Sequence, residues 1–237
     1  MQPTEGDGPA VDGVSYCFVI PFKSSARGKS RIDLPPPLRA RLAFAMLADT
    51  VAALVRSPQV HAVLLVVEVA DDVAALETVG EGDGAPRVRV IATSADGLNP
   101  AIEDGVRHLA AGGWAGGVAA VLGDLPGLTP RDVAAALFEA ETQAAQGHSV
   151  SAVPDALGTG TTVLIAAHAR DLVPRFGAGS YAAHLHAGAT GIGLSADSGL
   201  RRDVDVIADL TGAPWPQGLG PATSALVAEI GLAEITD

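Results

Sequence analysis

Lysine, cysteine, aromatic side chains and long apolar runs are all scarce in this chain, and each shortage excludes something. One cysteine, Cys17, cannot form an internal disulfide, and its place in an apolar run reads as a buried thiol rather than a nucleophile. Acidic residues outnumber Lys and Arg by 27 to 15, a net charge of -12, which argues against a nucleic-acid partner. The mean hydropathy of +0.32 comes from alanine and short Val/Leu runs. None of these runs approaches the roughly 18 uninterrupted apolar residues of a membrane span, so no membrane helix is predicted. Residues 1–14 contain no Lys or Arg and no apolar stretch, so they read as a disordered leader and not a signal peptide, and the chain reads as cytoplasmic. Residues 15–237, in a chain 48% hydrophobic, can bury the core of one domain.

The lysine shortage is the most informative. Both lysines, Lys23 and Lys29, follow the first strand-like run, and with Arg27 and Arg31 they put four positive charges on nine residues of an acidic protein. Such a local reversal of sign points to an anionic ligand. The other thirteen cations are all arginine. An ammonium is a compact point charge that can follow a moving phosphate, whereas a guanidinium holds a planar fork, so the two are not interchangeable beside a reacting phosphoryl group.

Short apolar runs alternate with segments of helical period, the pattern of an α/β fold with a mostly parallel sheet. Strands are predicted at 15–20, 62–67, 87–91, 118–122, 149–153, 162–166 and 191–194. Helices are predicted at 38–55, near 71–76, and at 100–109, 130–145 and 221–230. Thr129 and Pro130 supply an N-cap and a first helical position for the fourth of these. The strand ends then face a common crevice.

Acidic residues face the basic loop in this arrangement. Asp124 ends the fourth strand within Leu122-Gly123-Asp124-Leu125-Pro126. In Asp203-Val204-Asp205-Val206, a period of two puts both carboxylates on one face of an extended segment. Adjacent carboxylates repel unless a cation lies between them, and a few aspartates with phosphate oxygens are what Mg²⁺ prefers. Two motif-like strings are rejected. Gly28-Lys29-Ser30 ends like a P-loop, but Lys23 stands where that motif needs a glycine. Gly177-Ala178-Gly179-Ser180-Tyr181-Ala182 spells a dinucleotide fingerprint, but Pro174-Arg175-Phe176 precedes it instead of a strand. The pair His184 and His186 does not share a helical face, so no zinc is expected, and Trp114 and Trp215 read as packing residues.

Taken together, Pro21-x-Lys23 with Lys29-x-Arg31, Gly97-Leu98-Asn99, Gly123-Asp124-Leu125-Pro126, Gly158-Thr159-Gly160-Thr161-Thr162, Phe176-Gly177-x-Gly179-Ser180 and Asp203-x-Asp205 carry a resemblance. Over residues 15–212 the chain resembles the 2-phospho-L-lactate guanylyltransferases, the CofC or FbiD family, whose actinobacterial members are assigned to phosphoenolpyruvate. The early motifs are shared with other nucleotidyltransferases of the glycosyltransferase-A type. The resemblance implies a single-domain α/β/α sandwich of the nucleotide-diphospho-sugar transferase kind. It also implies transfer of GMP from GTP to phosphoenolpyruvate, giving enolpyruvoyl-2-diphospho-5'-guanosine and diphosphate, in biosynthesis of the deazaflavin coenzyme F(420). The alanine- and arginine-rich composition favours that acceptor.

By the same resemblance, Lys23, Lys29 and Arg31 act on the triphosphate and the leaving pyrophosphate, and Pro21, Leu98 and Asn99 also touch the nucleotide. Asn99 reads equally well as a helix N-cap before Pro100. Thr162, Gly177 and Ser180 hold the acceptor, with Thr161 as the alternative to Thr162 because only one of two neighbours on an extended segment can face the site. Asp124, Asp203 and Asp205 hold Mg²⁺. The alternatives are 2-phospho-L-lactate or 3-phosphoglycerate as acceptor, a molybdenum-cofactor or sugar-phosphate nucleotidyltransferase, or a non-catalytic nucleotide-binding module. A homodimer and the role of the C-terminal tail are left open.

Overall fold

The computed structural model describes residues 14–22, 31–69, 73–78, 87–212 and 214–232. The elements run β1 (Tyr16–Phe22), α1 (Pro36–Val55), β2 (Val60–Val67), β3 (Val88–Ala92), α2 (Leu98–Ala111), β4 (Gly117–Val121), α3 (Pro130–Ala145), β5 (Val150–Pro154), β6 (Thr161–Ala166), α4 (Ser180–His186), β7 (Thr190–Gly191), α5 (Ile207–Thr211) and α6 (Pro221–Glu229), with short 3-10 turns at Ala74–Thr78, Ala169–Asp171 and Gly199–Arg201. Pleating sends alternate side chains of β1 to opposite faces. Tyr16, Phe18 and Ile20 join Leu47, Val51 and Leu54 of α1 and Val133 and Leu137 of α3 in one core. Val19 joins Ala101 and Ile102 of α2 in a second core. The sheet is therefore covered on both faces.

The strand order is β3-β2-β1-β4-β6-β5-β7. β1 pairs in parallel with both β2 and β4, and β2 with β3. β6 runs antiparallel to β4 and to β5, and β7 runs parallel to β5. The sheet is thus mostly parallel, as the alternating pattern implies. After β1 the chain builds outward through β2 and β3, then crosses to the other side of β1 to lay down β4. The ends of β1 and β4 consequently diverge into a crevice, the place where open α/β sheets bind ligands.

Most elements lie where periodicity puts them. Thr129 caps α3 with Pro130 at its first position, and a reciprocal bond from the Thr129 N–H to the Asp132 carboxylate completes a capping box. Three expectations are corrected. The helix read near residues 71–76 is a five-residue 3-10 helix, Ala74–Thr78, and residues 70–72 lie outside the described residues. The strand read at 191–194 is only Thr190–Gly191, because the Glu139 carboxylate of α3 accepts the Gly193 N–H at 3.1 Å, drawing that backbone out of the ladder. Helix α2 starts at Leu98, two residues before Pro100, with Gly97 at its N-cap, so Asn99 lies inside the first turn and does not cap it.

A third apolar cluster, away from the sheet, joins Leu42 and Met46 of α1 to Ile32, Val204, Leu210 and Leu226. It fastens the segment around residue 204 and the terminal helix α6 to α1. The C-terminal tail thereby has a packing role. The expected leader lies outside the described residues up to residue 13. No helix among the described residues is long and apolar enough to cross a membrane.

Candidate active site

A cavity of about 620 Å³ opens at the divergence of β1 and β4. That volume is in the usual range for small-ligand sites. Pro21 and Phe22 at the end of β1, and Leu122, Gly123 and Asp124 after β4, form its floor.

The loop bearing Asp124 is held from three directions. The Leu125 N–H donates to the Thr50 hydroxyl of α1 at 3.2 Å, and that hydroxyl, fully buried, donates in turn to the Met46 carbonyl. The Val204 N–H donates to the Asp124 carbonyl at 3.1 Å, and the Gly220 N–H to the Pro126 carbonyl at 2.7 Å. Val204 is fully buried in the third cluster while Asp203 and Asp205 line the cavity, the in-out alternation read from Asp-x-Asp. The Asp205 and Val206 N–H groups both donate to Asp209, which fixes the segment as it enters α5. Upstream, the Ser198 hydroxyl donates to Asp132 at 2.6 Å, tying the approach to Asp203 to the N-terminus of α3.

Asp124, Asp203 and Asp205 thus line one cavity together with Glu68 and Asp155. Among the described residues, no three His, Cys, Asp or Glu side chains are grouped closely enough to hold a metal ion unaided. Arg31 also lines the cavity, and its guanidinium lies 3.7 Å from the Asp205 carboxylate, both side chains being largely exposed. Lys23 and Lys29 lie outside the described residues.

The Asp155 carboxylate shapes the β5–β6 turn by accepting the N–H groups of Thr159 at 2.9 Å and Gly160 at 2.8 Å. The next residue, Thr161, lines the cavity, whereas Thr162 does not; the Thr162 hydroxyl is fully buried and donates to the Leu200 carbonyl at 2.6 Å. Of the two adjacent threonines, then, Thr161 is the one that lines the cavity. Gly177 and Ser180 line the cavity as the motif implies. Gly177 and Gly179 have φ of 133° and 70°, values that side chains rarely adopt, and they bring the backbone round so that Ser180 opens α4.

Leu98 lines the cavity, but Asn99 does not. The Asn99 amide donates to the Phe176 carbonyl at 3.0 Å and accepts the Phe176 N–H at 2.7 Å. Both halves of the amide are engaged with the turn that carries Gly177 and Ser180. Its direct contact in the structure is therefore with that turn. Trp114 and Trp215 pack as read, with indole N–H groups donating to the Gly117 and Leu210 carbonyls.

Sequence reasoning passed over Asp155 and Thr93, and weighed His184 only as a zinc ligand. Pro154-Asp155 followed by Gly158 is a turn signal that locates the first. Thr93 lines the cavity and donates to Asp104, a contact without a local signature. His184 is buried, its Nδ1 2.9 Å from the Thr161 hydroxyl oxygen, and only the tertiary fold makes that pair.

The family model described as "Guanylyl transferase CofC like" matches residues 16–208. A phosphoenolpyruvate guanylyltransferase of Geodermatophilus obscurus is 42% identical over 221 residues, covering 90% of this chain and 94% of the relative. A protein of the same name from Salinispora arenicola is 42% identical over 214 residues, covering 89% and 92%. Among solved structures, a protein of Desulfovibrio desulfuricans G20 assigned to the nucleotide-diphospho-sugar transferases superposes with a TM-score of 0.66 at 15% identity, over 94% of this chain and 98% of that one. This last likeness concerns the fold alone.

Proposed function

We propose that this chain, which belongs to the family of CofC-like guanylyl transferases, joins GMP from GTP to phosphoenolpyruvate. A phosphate oxygen of the acceptor attacks the α-phosphorus of GTP, the bond from that phosphorus to the bridging oxygen of the β-phosphate breaks, and pyrophosphate leaves with the electron pair. The enol ester of GDP so formed is the intermediate that the family resemblance assigns to F(420) biosynthesis. No protein nucleophile is required, so the chain's work is orientation and charge compensation.

The observation that carries the reading is that Asp124, Asp203 and Asp205 line the same cavity as Thr161, Gly177 and Ser180. Arg31, with Lys23 and Lys29 from the same basic stretch of sequence, supplies positive charge for the triphosphate. Leu98 and Pro21, which also line the cavity, would pack against the nucleoside. Backbone amides and hydroxyls suit the carboxylate and phosphate of a small acid.

Mg²⁺ fits the acidic wall in a particular way. The donors are carboxylate oxygens, and with no complete metal cage among the described residues, phosphate oxygens of the nucleotide would fill the shell, as is usual for this ion. When bound, the ion would neutralise charge on the triphosphate. Asp124, fixed by its backbone bonds, and the Asp203/Asp205 pair, fixed through Val204, are the residues that would hold it.

The test is pyrophosphate release from GTP and Mg²⁺, with phosphoenolpyruvate, 2-phospho-L-lactate or 3-phosphoglycerate added separately and the product weighed by mass spectrometry. Release dependent on phosphoenolpyruvate, with a guanylyl adduct of matching mass, is the expected result. Turnover with 2-phospho-L-lactate alone would reassign the acceptor, and no release with any of the three would overturn the reading.

A further inference from the structure

Six histidines occur in the chain, and His184 alone among them is buried, at 1% exposure. It lies one turn after Ser180 in α4, and its ring is held on three sides. The Arg175 backbone N–H donates to Nε2 at 2.9 Å, Nδ1 stands 2.9 Å from the Thr161 hydroxyl oxygen, and the Phe176 ring meets it edge-on with centroids 5.3 Å apart. A backbone N–H can only donate. Nε2 is therefore the unprotonated nitrogen, and the proton of the neutral ring resides on Nδ1, directed at Thr161. Protonating the ring would set an Nε2–H against the Arg175 N–H. Burial first, and the Arg175 charge second, hold the ring neutral by pushing its pKa down to about 4.

This fixes the polarity of the Thr161 hydroxyl. Its oxygen accepts from His184, so its own proton is not taken by the ring and is left for another acceptor, on the side of the cavity that Thr161 lines. Ser180 stands in the same condition. Its oxygen accepts the Thr161 N–H at 2.8 Å, which leaves its proton for the cavity as well.

We infer that His184 is a positioning residue that locks Thr161 as a hydrogen-bond donor, so that Thr161 and Ser180 form a two-hydroxyl site for an anionic oxygen of the acceptor, a carboxylate or phosphate oxygen bearing no proton. The inference rests on the acceptor site proposed above.

Two substitutions at one position separate the two nitrogens. In His184→Asn the side-chain amide N–H takes the place of Nδ1 and still reaches Thr161; in His184→Gln the amide oxygen takes the place of Nε2 and serves Arg175 instead. The readouts are KM for acceptor, KM for GTP and kcat, with phosphoenolpyruvate as the probe. A hydrogen bond to a charged group sets the scale at about tenfold. Thr161→Val and His184→Gln are expected to raise the acceptor KM by about tenfold, with the GTP KM within about twofold of wild type. His184→Asn should stay within about threefold on all three constants.

Equal effects of the two His184 variants, or an unchanged acceptor KM in Thr161→Val, would reduce His184 to a packing residue. Thr161→Val is close to isosteric, so an unchanged acceptor KM in it overturns the inference even if both histidine variants unfold. Competition by inorganic phosphate and by pyruvate tells which acceptor group the hydroxyls hold, since its inhibition constant rises in Thr161→Val; if neither rises, the inference fails. Wild-type enzyme that turns over no acceptor would instead overturn the proposed function, and this inference with it.

Discussion

Asp205 illustrates how much a single carboxylate can be asked to do when its neighbours fix it. Its backbone N–H is held by Asp209, the preceding Val204 is buried, and its side chain meets Arg31 at 3.7 Å on the cavity wall. Asp205→Asn keeps the shape and removes the charge, so turnover is expected to fall by more than about tenfold while Tm is unchanged, because the lost interaction is electrostatic and concerns the reacting phosphates. Near-normal turnover would remove Asp205 from the proposed metal site. Asn99 makes a different kind of prediction. Asn99→Ala removes both bonds to Phe176 and frees the turn bearing Gly177 and Ser180. The acceptor KM should rise several-fold, and the GTP KM should stay near wild type, with each lost bond contributing about 1 kcal/mol; a change confined to the GTP KM would instead mark Asn99 as a nucleotide contact. The motif letters placed both residues at the site, but they did not say what each touches. Asn99 was read as a nucleotide contact or a helix N-cap, and its bonds to Phe176 were not legible, because Phe176 lies 77 residues away. Thr161 and Thr162 differ by one step on a strand, and which of them meets the cavity was decided by the packing of Leu200 against β6.

Elements obey rules that are local at their ends and global along their faces. The start of α3 was legible because Thr129, Pro130 and Asp132 carry their own hydrogen bonds. Helix α6 was legible from Pro221 and its apolar content, but its anchor was not. Asp49 of α1, only 6% exposed, accepts the Ala222 N–H at 3.0 Å and the Thr223 N–H at 2.8 Å, so a buried carboxylate serves the N-terminus of a helix more than 170 residues away in sequence. Positive potential at that terminus stabilises the charge. Asp49→Ala is expected to lose about 1–3 kcal/mol, a fall in Tm of several degrees by scanning calorimetry. Gly220 abuts the same carboxylate so closely that an added Cβ would lie 2.2 Å from the Asp49 Cγ. Gly220→Ala should therefore lower Tm in the same direction, and an unchanged Tm in both variants would show that α6 is held by its apolar face alone.

At the scale of the whole molecule, an acidic chain lines one cavity with Glu68, Asp124, Asp155, Asp203 and Asp205 and buries one neutral imidazole beside Thr161 of the same lining. The His184 pKa of about 4 lies below the ordinary 6.5, so as the pH falls the unfolded chain takes up the proton first. The stability contributed by the neutral ring is complete above about pH 6.5 and is lost progressively as the pH falls towards 4. The Glu141 carboxyl, pushed up by burial, acts with the opposite sign, and Asp104, held down first by the Thr93 hydroxyl and then by the Arg107 hydrogen bond, loses its share only at lower pH. Subtracting the Tm profile of His184→Gln from that of wild type isolates the ring. The difference should shrink between pH 6.5 and 4, and a flat difference would mean that the ring is already charged in the fold. The sequence by itself determined the class of fold, the order of most strands and helices, the basic stretch after β1 and the Gly-Asp and Asp-x-Asp motifs, because periodicity, caps and charge act over a few residues. Only the tertiary structure decided that Thr161 and not Thr162 meets the cavity, that Asn99 clamps Phe176, and that His184 orients Thr161. Each of those depends on two distant segments packing at hydrogen-bond distance, which is a property of the closed core and not of any local pattern.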